Sequence, residues 1–289
     1  MSDHPAARAR ITVLVDNTAH TPGLATEHGL AMALEISQPG SDHNILWLWD
    51  TGQSDAFLKN AAQLGVNPAQ AQGLALSHGH YDHTGGLAAL LTTGFGGAIL
   101  AHPQWITPRF SVHPGERPRA IGFEAAPRPA SLPDVTPVSR SWELAPGLTM
   151  LADIPRLPGN PQNTKDFFFD PQGRDPDPVR DDACLVLHAA QGPVLILGCC
   201  HSGLENTLAC VAERMGVTTL HGVLGGLHLM NSGPEDVDRA ARALRDFGVE
   251  RVVPGHCTGQ AAFRRLRNAL GSGPGIMVEP LGSGLVLEF

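Results

Sequence analysis

The chain has 289 residues, of which 42% are hydrophobic and 17% are charged, and its formal net charge at pH 7 is -8. This length is enough for one large domain or two small ones with a substantial core. The acidic balance argues against a nucleic-acid partner and against binding to an anionic membrane surface, and no apolar run approaches the roughly 20 residues that cross a bilayer.

The N-terminal segment MSDHPAARAR leads directly into an apolar run and has no signal-peptide core. The five cysteines are odd in number and show no paired framework, which favours reduced thiols. We therefore expect a cytoplasmic protein.

The first hundred residues alternate between apolar strands and amphipathic helices. The pattern predicts strands at 11–17, 30–37, 44–52, 73–80 and 97–103, and helices at 54–66 and 84–93. The third strand stops at Asp50, Thr51 and Gly52, and Ser54 is suited to cap the helix that follows.

Residues 103–182 differ from the rest of the chain in composition and pattern, because they hold fifteen of the 24 prolines and show little periodicity. We interpret this segment as an irregular insertion of loops and short elements. It is either a surface excursion or a lid over a site, since long irregular segments on a regular scaffold are often functional.

Regular alternation returns after residue 182. The pattern predicts strands at 183–190, 193–203, 220–229 and 250–259, and helices at 204–216, 234–248 and 260–271. Strands that alternate with helices in both halves predict an α/β layered fold, and we treat residues 1–289 as a single domain.

The strongest chemical signal is the run LSHGHYDHTGG at 76–86, which holds His78, His80, Asp82 and His83 within six residues. Alternate side chains of an extended backbone point to one side, so His78 and His80 can face one metal while Asp82 and His83 hold a second. Imidazole and carboxylate ligands suit zinc, and also manganese or iron. Four such side chains directly after an apolar strand are poorly explained as ordinary surface residues.

Four ligands do not complete two metal sites, because a catalytic zinc usually takes three protein ligands and keeps one position open. Three more histidines follow apolar strands: His201, His228 and His256. Each alone is better interpreted as a structural histidine. Strand-end loops gather at one edge of a layered α/β fold, however, so their shared placement favours a site.

These motifs resemble the metallo-β-lactamase superfamily. His78-Gly79-His80-Tyr81-Asp82-His83 matches its H-x-H-x-D-H signature, the stretch ending in Asp50 resembles its strand ending in Asp-x-Gly, and VVPGHCTG at 252–259 resembles its late Pro-Gly-His loop. The resemblance implies an αββα sandwich, α/β in class, with two mixed sheets inside and helices outside. It also implies a dinuclear metal site at one edge, with two Zn²⁺ per chain, or Mn²⁺ or Fe²⁺ instead.

Seven motifs in order are similar to one branch of that superfamily, the 7,8-dihydropterin-6-methyl-4-(β-D-ribofuranosyl)aminobenzene-5′-phosphate synthase-like proteins. They are VDN (15–17), EHG (27–29), DTGQS (50–54), SHGHYDHTGGL (77–87), GCCHSG (198–203), GGLHL (225–229) and GHCTG (255–259). The resemblance assigns no role to Glu27 or to His28, although His28 is expected near the pocket wall.

The chain departs from the wider superfamily at the usual bridging aspartate, where it has Gly198-Cys199-Cys200-His201. Either His201 acts as a ligand or the second metal is held loosely or absent; Cys199 is a ligand or a buried packing residue. No histidine stands in the usual third-motif position, since His188 lies within a predicted strand. His228 is then a ligand or a general acid/base beside the metals.

Several other residues keep two interpretations. By resemblance Asp50 orients a ligand histidine, but an aspartate before Gly52 also suits a turn. Tyr81 lines the pocket or packs. Four arginines of the insertion contact an anionic substrate or are solvated surface residues, and we favour the second: Arg109, Arg117, Arg119 and Arg156.

The function that the sequence indicates is metal-dependent hydrolysis of an ester, lactone, phosphoester or amide by a metal-activated water, with Asp82 positioning the water. The expected partner is a small-molecule substrate, with an anionic substrate as one alternative. The alternatives are a synthase-type transferase joining a pterin to a ribofuranosylaminobenzene phosphate, and a non-catalytic binding member of the fold.

Overall fold

The computed structural model describes residues 8–37, 44–131, 133–162, 164–271 and 275–289. Most of MSDHPAARAR, on which we based the absence of a signal peptide, therefore lies outside the described residues. Among the described helices, none combines the length and apolarity that a bilayer span requires.

The strands are β1 (Arg8–Val15), β2 (Ala31–Ser37), β3 (Asn44–Trp49), β4 (Gly73–Ala75), β5 (Ala98–Ala101), β6 (Phe110–Ser111), β7 (Arg119–Ala120), β8 (Thr136–Pro137), β9 (Ser141–Ala145), β10 (Leu148–Leu151), β11 (Phe167–Phe168), β12 (Cys184–Ala189), β13 (Gly192–Leu197), β14 (Gly222–Gly226), β15 (Arg251–Gly255), β16 (Met277–Val278) and β17 (Val286–Glu288). The helices are α1 (Ala56–Leu64), α2 (Tyr81–Thr84), α3 (Leu87–Thr92), α4 (Leu204–Met215), α5 (Pro234–Asp246) and α6 (Gln260–Leu270).

Two seven-stranded sheets form the centre of the molecule. The first has the order β17-β1-β2-β3-β4-β5-β8, and the second has the order β16-β15-β14-β13-β12-β10-β9. Both are mixed: β3, β4, β5 and β8 run parallel, as do β13 to β16, while the remaining neighbours are antiparallel. A small third sheet, β11-β6-β7, stands apart from them.

Burial on both faces explains why the central strands are continuous apolar runs. In β1, Ile11 and Val13 point into the core between the two sheets, while Leu14 belongs to the layer formed with α1 and α3. In β12, Leu185 and Leu187 meet the same central core, while Val186 packs in the layer of α4, α5 and α6. These alternating partners confirm the α/β class and the αββα layering.

Residues 103–182 are more integrated than a single surface insertion. β8 extends the first sheet beside β5, and the β9–β10 hairpin forms the edge of the second sheet next to β12. The parts on either side of this middle portion supply β6, β7 and β11. That small sheet contributes Ser111, Arg119 and Phe167 to the cavity described below.

Candidate metal centre

The candidate site lies where strands of both central sheets end. β4 leads into His78 and His80, and α2 carries Asp82 and His83. From the second sheet, β13 is followed by residues 199–201, β14 by His228 and β15 by His256. The carboxyl ends of parallel strands share one edge, and the fold thereby brings together side chains far apart in the chain.

His78, His80 and His201 form the first group of ligand-type side chains. The Nε2 atom of His78 lies 3.0 Å from His80 Nδ1 and 3.2 Å from His201 Nε2. These separations approach the value of about 3.3 Å expected between nitrogens that share one tetrahedral metal with bonds of about 2.0–2.1 Å. Burial and the neighbouring histidines lower the pKa of all three imidazoles well below the usual value, so they are neutral, as metal ligands must be.

Asp82, His83 and His256 form the second group. His83 Nε2 lies 3.1 Å from His256 Nε2, and Asp82 Oδ2 lies 3.4 Å from His256 Nε2 and 3.9 Å from His83 Nε2. Burial alone would raise the pKa of Asp82, but His83, His256 and His28 hold it well below its usual value. Burial likewise opposes protonation of His256, yet Cys257 and Asp82 raise its pKa to about 9, so metal binding there displaces a proton.

Asp50 and Ser77 fix the tautomers of two of these histidines. A carboxylate can only accept, so His83 Nδ1 donates to Asp50 Oδ2 over 2.7 Å and leaves Nε2 with a lone pair. Ser77 Oγ also donates to Asp50 Oδ2, at 2.7 Å, and therefore accepts from His78 Nδ1 at 2.9 Å. Asp50 thus orients a histidine, as the resemblance implies, and its turn conformation, with φ of 59°, accompanies that role.

Asn17 performs the same task for the second group, and sequence reasoning missed it. Its Oδ1 accepts from His256 Nδ1 at 2.9 Å, while its Nδ2 donates to His28 Nδ1 at 3.2 Å. His256 Nε2 is therefore free to ligate, and His28 Nε2 donates to Asp82 Oδ2 at 3.1 Å. The signal was the VDN motif of residues 15–17, which carried no role by itself.

A buried ion-pair network contacts the backbone of the H-x-H-x-D-H run. Arg109 is fully buried and donates to both oxygens of Asp181, at 2.6 and 2.9 Å, and Asp181 accepts the backbone N–H of Gly79 at 2.7 Å. Gly79 stands between His78 and His80, and a Cβ there would lie 1.8 Å from the carbonyl oxygen of Trp105. The prediction of a solvated Arg109 is wrong, because the insertion places this residue inside the protein beside two aspartates.

The other three arginines of the insertion have different surroundings. Arg119 is exposed and lines the cavity, while Arg117 is exposed. Arg156 is half-buried and donates to the backbone carbonyls of residues 154, 178 and 179, so the prediction of a solvated surface residue is also wrong for it.

The cavity above the two groups has a volume of about 450 Å³. Both central sheets and the insertion contribute to its wall, through His28, Tyr81, Asp82, Ser111, His113, Arg119, Lys165, Phe167, Cys199, His201, His228 and His256, among others. A cavity of this size suits a small molecule. Tyr81 lines it while also packing in the layer of α1 and α3, so both interpretations of this residue apply.

The structure shows what surrounds Glu27 and His228, two residues for which the sequence did not settle a role. Glu27 is not part of the cavity wall; its carboxylate accepts the backbone N–H groups of Gln53 and Ser54, and the Ser54 hydroxyl at 2.5 Å. His228 does line the cavity, and its ring centroid lies 4.3 Å from that of His201. His188 lies in β12, away from the site.

Four non-glycine residues of these loops adopt left-handed backbone conformations. The φ angles are 59° at Asp50, 59° at Cys200, 48° at His228 and 48° at His256. L-residues visit this region rarely, and each of the four lies in or next to the site.

The donor set fits a transition metal. Each group brings together three imidazole or carboxylate side chains, of which His256 must first lose a proton. The outer nitrogens of His78, His83 and His256 are already engaged by hydrogen bonds. The outer nitrogens of His80 and His201 are buried and have no hydrogen-bond partner among the residues described. Imidazole and carboxylate in this number are typical of zinc sites with an open position.

Comparisons with known proteins agree with the geometry. The family model described as the metallo-beta-lactamase superfamily matches residues 40–256. The chain is 26% identical over 261 residues, 86% of each chain, to the 7,8-dihydropterin-6-methyl-4-(beta-D-ribofuranosyl)-aminobenzene-5'-phosphate synthase of Methanocaldococcus jannaschii.

Two solved structures share the fold. The crystal structure of Tm1679, described as a metal-dependent hydrolase of the beta-lactamase superfamily, has a TM-score of 0.77 and 29% identity, covering 97% of this chain and 99% of its own. YhfI of Bacillus subtilis has a TM-score of 0.56 and 13% identity, covering 98% of this chain and 100% of its own. With the matched family region, the layering and the motifs together, the chain belongs to the metallo-beta-lactamase superfamily.

Proposed function

We propose that this protein is a metal-dependent enzyme that hydrolyses an ester, lactone, phosphoester or amide bond of a small, anionic molecule in the cytoplasm. The observation that carries the proposal is the convergence of two ligand groups beside one cavity. In this proposal His78, His80 and His201 hold one metal, and Asp82, His83 and His256 hold the other.

The metals we propose are two Zn²⁺ per chain, with Mn²⁺ or Fe²⁺ as substitutes. When bound, such ions lower the pKa of a water to about 7 and polarise the bond under attack. The protein side chains bind the substrate, orient the attacking water and donate a proton.

Asp82 is the residue that orients the attacking water. Its carboxylate is almost fully buried, is held by the hydrogen bond from His28, and is kept ionised by its histidine neighbours. His228 stands on the cavity wall beside His201, where an imidazole can donate a proton to the departing group.

The anionic part of the substrate is expected to lie against the insertion. Arg119, Lys165 and His113 line that side of the cavity, together with the carboxylate of Asp166. Guanidinium and ammonium groups suit carboxylate or phosphate oxygens, while a nucleic acid would need a far larger basic surface than an acidic chain offers.

A second candidate is a synthase-type transferase. It is favoured by one observation, the similarity over 86% of both chains to a protein named as such a synthase. The same metals would then polarise a leaving group, and a second substrate would take the place of water. A third candidate, binding without catalysis, keeps the ligands but predicts no turnover.

Elemental analysis and turnover together test the proposal. We expect two metals per chain in the wild type, one fewer in His201→Ala, and no loss in His228→Ala, which should retain metal but lose most of its hydrolysis. Metal-loaded protein is then supplied with ester, lactone and phosphoester substrates, and separately with a dihydropterin diphosphate plus an aminobenzene riboside phosphate. A joined product would support the transferase, and a metal-free wild type would refute both enzymatic candidates.

A further inference from the structure

Cys199 occupies the centre of the site. Its Sγ atom forms one close group with the ring nitrogens of His78 and His201, and another with those of His83 and His256, in each case with all three atoms within 4.8 Å of one another. Its distance to His83 Nε2 is 3.2 Å. Among the described His, Cys, Asp and Glu side chains, it is the member common to the groups on both sides.

We propose that Cys199 is a metal ligand whose sulfur bridges the two metal positions, in the place where the superfamily usually has an aspartate. This inference rests on the proposed two-metal function, because it adds a ligand to the same centre. It goes beyond that function by naming a thiolate donor, which neither the H-x-H-x-D-H run nor the downstream histidines supply.

The reach of the sulfur fits both positions. Zinc–sulfur bonds are about 2.3 Å and zinc–nitrogen bonds about 2.0–2.1 Å, which places a sulfur and a nitrogen on one tetrahedral ion about 3.6 Å apart. The 3.2 Å between Cys199 Sγ and His83 Nε2 is close to this value, and the ring nitrogens of His78 and His201 lie within 4.8 Å of the same sulfur. A sulfur that belongs to both close groups has the placement that a bridge requires.

The neighbouring cysteines provide the comparison that separates a ligand from a packing residue. Cys200 follows directly in the chain, but its side chain belongs to the apolar layer of α4 to α6 and lies 3.5 Å from Thr207 Oγ1. Cys199 instead lines the cavity. The two residues therefore share burial and chain position but differ in what their sulfurs face.

Cys257 is the second thiol on the cavity wall, and among the described residues its sulfur forms a close group with Cys199 and His228. The sulfur also accepts the backbone N–H of His228 at 3.3 Å and lies 3.6 Å from the carbonyl oxygen of Cys199. A Cβ at Gly226 would lie only 2.5 Å from it. Cys257 thus packs behind Cys199 rather than between the two ligand groups.

A bridging thiolate alters which metal the protein selects. Soft sulfur donors favour zinc, cobalt and iron over magnesium and manganese, whereas a bridging carboxylate favours the harder ions. We therefore expect Mn²⁺ to substitute for Zn²⁺ with weaker binding than Fe²⁺, and expect replacement of Cys199 by aspartate to shift the preference towards manganese.

Cobalt substitution tests the proposal, because a thiolate bound to Co²⁺ gives a strong near-ultraviolet charge-transfer absorption that imidazole and carboxylate do not. We load the full-length wild type, Cys199→Ser, Cys199→Asp, Cys200→Ser and Cys257→Ser with Co²⁺, count bound metal, and record circular dichroism to confirm folding. The band should appear in the wild type, Cys200→Ser and Cys257→Ser, and vanish in both Cys199 variants. Cys199→Ser should bind its second Co²⁺ about tenfold or more weakly, while Cys199→Asp should still bind two.

A band that persists in Cys199→Asp, one that is lost in Cys257→Ser, or a wild type that binds two Co²⁺ without the band would overturn the inference. A wild type that binds no Co²⁺ would overturn it as well. Turnover is a separate readout, since a charge-transfer band in a protein that hydrolyses nothing upholds the ligand and refutes the proposed function. Hydrolysis by a protein without the band does the reverse.

Discussion

Replacing Arg109 by methionine should destabilise the protein severely. The guanidinium is fully buried, donates to Asp181 twice and contacts Asp177 Oδ2 at 3.0 Å from its Nε. Methionine fills much of the same volume but leaves two buried carboxylates without their cation. Breaking a buried pair in this way costs about 3–5 kcal/mol.

That free-energy loss converts into a measurable shift in melting temperature. An unfolding entropy of about 2.1 cal/mol/K per residue over a chain of this length gives about 0.6 kcal/mol/K, so the loss corresponds to roughly 5–8 °C. Thermal unfolding followed by circular dichroism measures the shift directly.

The matched control is Arg265→Met. Arg265 donates to both oxygens of Asp238, at 2.7 and 2.6 Å, but on the protein surface, where solvent screens the pair and its contribution to stability is small. Its melting temperature should fall by less than about 2 °C. Equal shifts in the two variants would refute the reasoning that burial makes the Arg109 network costly to break.

The pH dependence gives the same reasoning a second test. Burial raises the pKa of Asp177, and Arg109 holds that rise back, so removal of Arg109 raises this pKa further. A carboxyl whose folded pKa exceeds its unfolded value loses stability as pH rises from the unfolded value, about 3.9, through the folded one. The loss of unfolding free energy in Arg109→Met, relative to the wild type, should therefore be largest at neutral pH and shrink as pH falls towards 4. A loss that grows on acidification would contradict this account.

Three further outcomes follow from the geometry of the site. Asp50→Asn should leave the fold intact but weaken metal binding about 10–100-fold, because the amide no longer favours the tautomer of His83 that frees Nε2. Equilibrium dialysis measures this loss of affinity. An unchanged affinity would show that Asp50 does not orient His83 for metal binding. Gly79→Ala should abolish soluble expression or lower the melting temperature strongly, since its Cβ would meet the Trp105 carbonyl oxygen at 1.8 Å. Gly94→Ala is the control, because a Cβ there meets nothing within 4 Å although φ is 84°. The control should lose only about 1 kcal/mol of stability. Removal of metal by a chelator should lower the melting temperature of the wild type, because the proposed ions would join side chains from both sheets. The chelator should change the melting temperature of His78→Ala much less.

Much of the fold could be predicted from local sequence pattern, because the apolar residues of the central strands and outer helices follow the strand and helix periods closely. Leu14 and Val13 alternate between two apolar layers, and the predicted helix at 234–248 corresponds to α5 at Pro234–Asp246. The H-x-H-x-D-H run was equally visible, since its spacing is local. The predicted roles of the site residues stay predictions until metal is measured.

Long-range partners were beyond the reach of local pattern. Asn17 and His256 are 239 residues apart, and Arg109 and Asp181 are 72 apart within a stretch that shows no periodicity. A buried arginine and a solvated one look alike in a Pro-rich segment, because burial there depends on how the chain returns to the sheets. The pairing of β8, β9 and β10 with the central sheets escaped for the same reason.

The left-handed residues around the site have a consequence for how the native state opens. Asp50, Cys200, His228 and His256 each hold a conformation that costs an L-residue about 1–3 kcal/mol, and only the surrounding contacts keep them there. Loops that carry such strain open at lower free energy than the strands they follow. In the metal-free protein, the amide hydrogens of these four residues should exchange with solvent sooner than those in the buried parts of β1 and β13. The region that would hold the metals then opens before these strands do.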